Sequence, residues 1–81
     1  MEKRIATILI VIHETYCVSQ LNAIISRYSN IIISRQGIPL HKRGISIISI
    51  VIDGTTDEIG ALSGQIGKLS GVKVKTAIIK K

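Results

Sequence analysis

The sequence contains one cysteine and neither tryptophan nor phenylalanine, and each scarcity excludes a class of protein. Cys17 has no partner for an internal disulfide, and no paired Cys and His spacing typical of structural zinc is present. Tyr16 and Tyr28 are the only aromatic residues, so the chain lacks the stacking surface of single-strand nucleic-acid binders. We therefore expect a cytoplasmic protein that folds without disulfides or structural zinc.

Catalytic groups are equally scarce, because the chain has five acidic residues and two histidines. No serine or cysteine has an evident general base. The sequence also contains no glycine-rich phosphate-binding motif. We predict no catalytic residues, no enzyme activity and no cofactor.

Long apolar runs and blocks of basic residues are also missing. The apolar start of the chain ends at His13 without a cleavage site for a signal peptidase, and no segment reaches the ~18 apolar residues of a membrane span. The net charge of +6 comes from scattered lysines and arginines. We expect no membrane association, and direct nucleic-acid binding is disfavoured.

Isoleucine is abundant, at nineteen of the 81 residues, and branched aliphatic side chains favour strands. The pattern predicts one domain over residues 1–81, with strands at 4–12, 31–36, 45–52 and 72–79. Helices are predicted at 15–28, capped by Thr15, and from Thr55 or Thr56 onward. The order βαββαβ predicts an α+β, ferredoxin-like sandwich, with a four-stranded antiparallel sheet and two helices on one face. The first and third strands should be central.

The second helix has an unusual composition. Thr55 and Glu58 form the spacing of a capping box at its start. Gly60, Gly64 and Gly67 form a stripe beside its apolar residues, although each glycine inside a helix costs about 1 kcal/mol relative to alanine. The stripe predicts a close helix contact in preference to a ligand cradle.

The two predicted central strands are apolar on both faces. Helices on one side of the sheet leave the other side in water, where an apolar patch of that size is uncommon for a monomer. We therefore predict a homo-oligomer, either a dimer or a tetramer, assembled through the sheet.

Two loops are candidates for ligand binding. The first, after the first strand, contains His13, Thr15 and Tyr16, and the second, at the start of the second helix, contains Gly54, Thr55 and Thr56. Free amides at a helix N-terminus can hold a phosphate or carboxylate, although ordinary capping explains the second loop equally well. We predict a ligand site between the two loops.

A metal site has little support in the sequence. The soft ligands are His13, Cys17 and His41, and Cys17 lies in the apolar arc of its predicted helix, where a free cysteine behaves as a small buried hydrophobe. We predict no metal site.

Three stretches carry a family resemblance: IGALSGQIGKLSGVKVKT at residues 59–76, GISIISIVID at 44–53, and the opening MEKRIA. With them the chain resembles the small regulators assigned to the iron-only hydrogenase system. That family is similar to amino-acid-binding regulatory domains and to the C-terminal domain of the nickel-responsive repressor, which implies oligomerisation through the sheet. The clustered His and Cys ligands of the repressor have no counterpart in 45–52, and residues 13–16 lack the glycine usual in the amino-acid-binding domains.

The resemblance implies a small oligomeric regulatory module that binds a small ligand or a partner protein. Two alternatives stay open, a direct DNA-binding transcriptional regulator and a metal-responsive sensor domain. The chain shows no ribbon-helix-helix or helix-turn-helix segment for reading DNA.

Overall fold

A computed structural model describes residues 2–79, and its elements follow the predicted order βαββαβ. The strands are β1 (Lys3–Ile12), β2 (Ile32–Leu40), β3 (Ile45–Thr55) and β4 (Val72–Ile79), and the helices are α1 (Val18–Arg27) and α2 (Thr56–Gly67). Short 3₁₀ turns lie at Thr15–Cys17, Ser29–Ile31 and His41–Arg43.

The four strands form one antiparallel sheet in the order β2-β3-β1-β4, which confirms that β1 and β3 are central. The register of β1 on β3 runs from Lys3 opposite Thr55 to Ile12 opposite Ser46. Residues directly opposite each other lie on the same face of the sheet. The isoleucines of β1 and β3 therefore form two sets, one that faces the helices and one that faces away.

The helix-covered face holds the core. Ile8, Ile10, Ile50 and Ile52 have no exposed surface there, and Ile48 is also buried. The helices cover them with the apolar arcs of α1 and α2, which contribute Leu21, Ile24, Ile25, Ile59, Leu62 and Ile66. The core is therefore aliphatic and lies between one sheet face and two helices.

No element of the described chain covers the opposite side of the sheet, here called the outer face. Its apolar residues in the central strands and in β2 are Ile5, Leu9, Val11, Ile38, Leu40, Ile45, Ile47 and Val51. Ile5, Leu9 and Ile38 are each more than 40% exposed, at 44%, 42% and 42%. The predicted two-sided apolar sheet is present in the folded chain.

The start of the first helix differs from prediction. A 3₁₀ turn over Thr15–Cys17 precedes α1, and no side chain caps either element, so the predicted Thr15 cap is wrong. The Cys17 thiol instead donates to the Glu14 carbonyl at 2.9 Å. The thiol thus gives the Glu14 carbonyl a hydrogen-bond donor, and one 3₁₀ turn precedes the α-helix.

Strand β2 is longer than predicted, because Gly37 and Pro39 lie inside it and pair in register with β3. Proline is compatible with a strand at a sheet edge, where its missing N–H breaks no ladder on the open side. β2 also carries a bulge between Ile32 and Ser34. Strand β3 likewise continues three residues beyond its predicted end, to Thr55.

The predicted capping box is confirmed. Thr55 Oγ1 accepts from the Glu58 amide at 3.1 Å, and Glu58 Oε1 accepts from the Thr55 amide at 2.8 Å. Two amide donors that the helix leaves without backbone partners are satisfied by these bonds.

The glycine stripe of α2 makes no close helix contact within the described chain, so the predicted contact is not made by the single copy and stays a prediction. Gly60, Gly64 and Gly67 are exposed, and a β-carbon added at any of them would meet no atom within 4 Å. Helix α1 packs on another side of α2, through Gln65, which donates to Tyr28 Oη at 2.7 Å.

We expect Thr55→Ala to lower the free energy of unfolding by about 1 kcal/mol, because it removes the cap acceptor. Thr55→Ser keeps a hydroxyl and should stay close to the native stability. Urea unfolding monitored by far-UV circular dichroism measures both, and equal losses in the two variants would show that the hydroxyl is not what stabilises this helix start.

Candidate functional site

The loop after β1 is fixed by the turn that precedes β4. The amides of His13 and Glu14 both donate to the carbonyl of Gly71, at 2.7 and 3.3 Å. Gly71 has a φ of 86°, a left-handed conformation that glycine adopts without strain. A β-carbon at this position would lie 2.7 Å from Cβ of Glu14, so glycine is required for the loop to approach.

The turn between β2 and β3 lies at the same end of the sheet. It is the 3₁₀ turn His41–Arg43, which ends at Gly44 with a φ of 66°. Because Ile12 at the end of β1 is opposite Ser46 near the start of β3, this turn and the His13 loop are neighbours.

A surface pocket of about 310 Å³ lies between the two segments. Its lining consists of Ile12, His13, Thr15, Val18, His41, Gly44, Ile45 and Ser46. Ile12 is buried and Val18 and Ile45 are half-buried. The polar residues of the lining are His13, Thr15, His41 and Ser46. We call it the histidine pocket, because it gathers both histidines of the chain.

The two loops that were predicted to form one site lie at opposite ends of the sheet, so that geometry is wrong. Ile12 pairs with Ser46, whereas Thr55 pairs with Lys3. Nine residue-to-residue steps along each strand separate these pairs, which corresponds to roughly 30 Å. A small ligand cannot contact both loops of one copy.

The second loop builds the start of α2. Gly54 is buried, and a β-carbon there would lie 3.2 Å from Oε1 of Glu58 and 3.3 Å from Cδ1 of Ile31. Thr55 is the cap, and Thr56 is an exposed first residue of the helix. With the Glu58 carboxylate already at the helix start, capping explains these residues and an anion would meet a like charge.

Tyr16 belongs to the first loop but does not line the histidine pocket. Its hydroxyl is 3.0 Å from Oγ of Ser70, on the turn before β4, and its side chain is 65% exposed. Of the predicted site residues, His13 and Thr15 are therefore the two in the pocket.

In two further pockets the polar residues come from strands and their ends or from one turn, not from two separate loops. One of about 400 Å³, at the far end of the sheet, includes Glu2 and Arg4, which form an ion pair at 3.4 Å. Another, of about 510 Å³, is lined by the consecutive residues Pro39–Arg43 alone. The histidine pocket is the better candidate for a selective site, because polar side chains there converge on an apolar base.

Within residues 2–79, no group of three or more His, Cys, Asp or Glu side chains is placed to hold a metal ion. Cys17 is buried and lies outside the histidine pocket. The pocket therefore offers two imidazoles and two hydroxyls, a set suited to hydrogen bonding.

The order of elements and the sheet order β2-β3-β1-β4 define a small ferredoxin-like domain. The model of the TM1266-like family, described as an iron-only hydrogenase system regulator with that role given as provisional, matches residues 4–76. The chain belongs to this family.

Solved structures resemble the chain over nearly its whole length. The uncharacterized protein TM1266 from Thermotoga maritima is 38% identical, with a TM-score of 0.92 over 98% of this chain and 100% of that chain. The ACT domain from GTP pyrophosphokinase of Chlorobium tepidum is 24% identical, with a TM-score of 0.76 over 93% of this chain and 99% of that one. The de novo designed protein Foldit4 shares the fold at 17% identity, with a TM-score of 0.61 over 99% of each chain.

A search of curated proteins gave no match. Among the described residues, every helix is too short or too polar to cross a membrane.

The sequence interpretation missed His41 and Ser46 as pocket residues. A signal for them was present, because the βαββαβ order already placed the first and third strands side by side. Antiparallel neighbours bring the end of one strand to the start of the other, so the residues before the third strand had to lie beside His13.

We expect Gly71→Ala to destabilise the fold more than Gly44→Ala. Both alanines would occupy the left-handed region, at a cost of about 1–2 kcal/mol. A new methyl group at position 71 would also clash with Glu14, whereas at position 44 it meets nothing within 4 Å. Chemical unfolding of the two variants isolates the clash, and equal losses would contradict the tight contact between the loop and the turn.

Proposed function

We propose that this chain is a small oligomeric regulatory module for the iron-only hydrogenase system, which binds a small molecule in the histidine pocket. The family and the ACT-like fold support a regulatory role. The observation that carries the binding proposal is the convergence of His13, Thr15, His41 and Ser46 around an apolar base. These residues come from two segments that only the folded sheet brings together.

The volume of the pocket limits the ligand to a small molecule. At about 310 Å³ it is at the lower end of the range for small-molecule sites. Imidazoles and hydroxyls can donate hydrogen bonds to a carboxylate, and Ile12, Val18 and Ile45 provide an apolar surface. A compound with one acidic group and a short apolar part, such as a free amino acid, suits this combination.

Assembly is the second part of the proposal. Burying an isoleucine side chain is worth roughly 1.5–3 kcal/mol, and the outer face leaves several aliphatic residues partly in water. That energy is comparable with the whole stability of a small domain. Along β1 and β3 the outer face between Ile5 and Val11 and between Ile45 and Val51 carries no charged residue. A second copy presenting the same face can cover these central strands, with Lys73 and Lys75 of β4 at the border of the contact.

We expect a pocket ligand to raise the melting temperature of the native protein and not that of a His13→Ala/His41→Ala double variant. A ligand at one hundred times its dissociation constant stabilises by about 2.7 kcal/mol, a shift of roughly 10 °C or more in a domain of this size. Both histidines are exposed, so the double variant should fold normally. A thermal-shift screen with free amino acids measures this effect.

Thr55→Ser, at the far end of the sheet, is the matched control and should keep the full shift. A shift that survives in the double variant would move the site elsewhere, and no shift with any compound would contradict amino-acid binding. The metal-responsive alternative is supported by the position of both histidines in one pocket. The same assay with Ni²⁺ or Zn²⁺ alone tests it.

We expect Ile47→Lys to abolish the contact through the outer face and so lower the oligomeric state, and Ile48→Lys to prevent folding. The two residues are neighbours in β3, but Ile47 lies on the outer face and Ile48 is buried under the helices. Sedimentation gives the oligomeric state, and circular dichroism gives the fold. A native protein that sediments as a monomer at micromolar concentration would contradict assembly through the outer face.

A further inference from the structure

The two edges of the sheet differ in how well they are protected against pairing with another strand. β2 carries a bulge, Pro39, and Arg35, whose guanidinium bonds to Asn22 of α1. Such features are typical of an edge that does not add strands. β4 pairs with β1 in unbroken register from Val72 to Ile79 and contains neither proline nor a bulge. Its protecting residues are Lys73 and Lys75, whose charges restrict the register in which another strand can pair. Its other side has no partner strand within the described chain.

We propose that two copies of this chain pair antiparallel along β4, centred on Thr76, so that their sheets join and their α2 helices come side by side. The contact goes beyond the proposed function, because it uses the edge of the sheet and can form whether or not the outer face is covered. Its occupant is a second copy of this chain.

Charge selects the register. When β4 pairs with itself around Thr76, Lys73 lies opposite Ile79 and Lys75 opposite Ala77. Centring the pair on Lys75 instead would place the two Lys75 side chains directly opposite each other, and like charges in that position are destabilising. The Thr76 register also places Val74 opposite Ile78, which is 43% exposed in the single copy. The Thr76 register therefore covers apolar surface, and neither Lys73 nor Lys75 lies opposite another lysine.

The position of α2 adds a second, independent reason. Ser63 Oγ lies 2.7 Å from Thr76 Oγ1, so this side of the helix is next to β4. Gly60 and Gly67 are three and four residues from Ser63 and share its side of the helix, with Gly64 adjoining. Gln65, by contrast, faces α1.

The glycine stripe therefore borders the open edge of the sheet. Joining two β4 strands would bring the two α2 helices together across it, and residues without side chains allow backbones to approach closely. The room that the single chain leaves empty would then be filled by the partner's helix.

Cysteine cross-linking tests the register. In the Thr76→Cys variant, the antiparallel pair brings the two β-carbons to about 4.5–5.5 Å, near disulfide distance. We expect a covalent dimer on a non-reducing gel after mild oxidation at micromolar concentration. Native Cys17 is buried and should not compete.

Lys73→Cys is the matched control on the same strand. The Thr76 register separates two copies of position 73 by roughly 20 Å, so this variant should not cross-link with itself. Mixed with Ile79→Cys, it should form a heterodimer. If Thr76→Cys stays monomeric, or if Lys73→Cys cross-links with itself equally well, the β4 pairing is overturned. Repeating the test in the Ile47→Lys background separates this contact from the outer face, because the cross-link should persist there.

Gly64→Leu tests the helix contact. The added side chain meets nothing in the single copy, and leucine favours helix more than glycine does, so the fold should be retained. We expect the dissociation constant of the β4 dimer, measured by sedimentation in the Ile47→Lys background, to rise about tenfold or more. Ala61→Leu adds the same kind of side chain to an exposed position outside the stripe and should leave it unchanged. An unchanged constant for Gly64→Leu would overturn the proposed helix contact.

Discussion

The antiparallel pairing of β1 with β3 is the constraint on which the rest of the structure depends. Its register determines which isoleucines lie under the helices, because a slip of one residue would exchange the two faces of a strand. The same register decides which loops meet. It brings the end of β1 to the start of β3 and so places His13 beside the turn that carries His41. The core and the candidate site therefore have a common origin.

Much of this fold could be predicted from the sequence, because its signals are local. Alternation of branched residues indicated the strands, the spacing of Thr55 and Glu58 marked the start of α2, and the order of elements identified the sheet topology. Thr15 is not a helix cap, because it begins a 3₁₀ turn. The residues just before it, His13 and Glu14, are anchored by the carbonyl of Gly71, which is distant in sequence. Such long-range backbone bonds leave no periodic pattern.

The candidate site was only half predictable for a related reason. Each of the two predicted loops had a plausible local chemistry, but the distance between them is a property of the sheet direction. His13 and Thr15 lie in the pocket, whereas Gly54, Thr55 and Thr56 form the start of a helix at the opposite end. The glycines of α2 show the same limit in energetic terms. Their cost in helix stability is visible in the sequence, but the surface that they leave open is visible only once α1, α2 and β4 are placed.

The carbonyl of Gly71 is a shared acceptor for the two amides that begin the pocket loop, and the next residue, Val72, begins β4. The position of an edge strand and the shape of the histidine pocket are thus joined through a single peptide group. Whatever shifts the strand must move this carbonyl or break its bonds to His13 and Glu14. By thermodynamic reciprocity, a ligand that favours one arrangement of the loop must favour the matching arrangement of the strand by the same free energy. Any displacement of the two residues that begin the pocket loop is therefore transmitted through one peptide group to the start of β4.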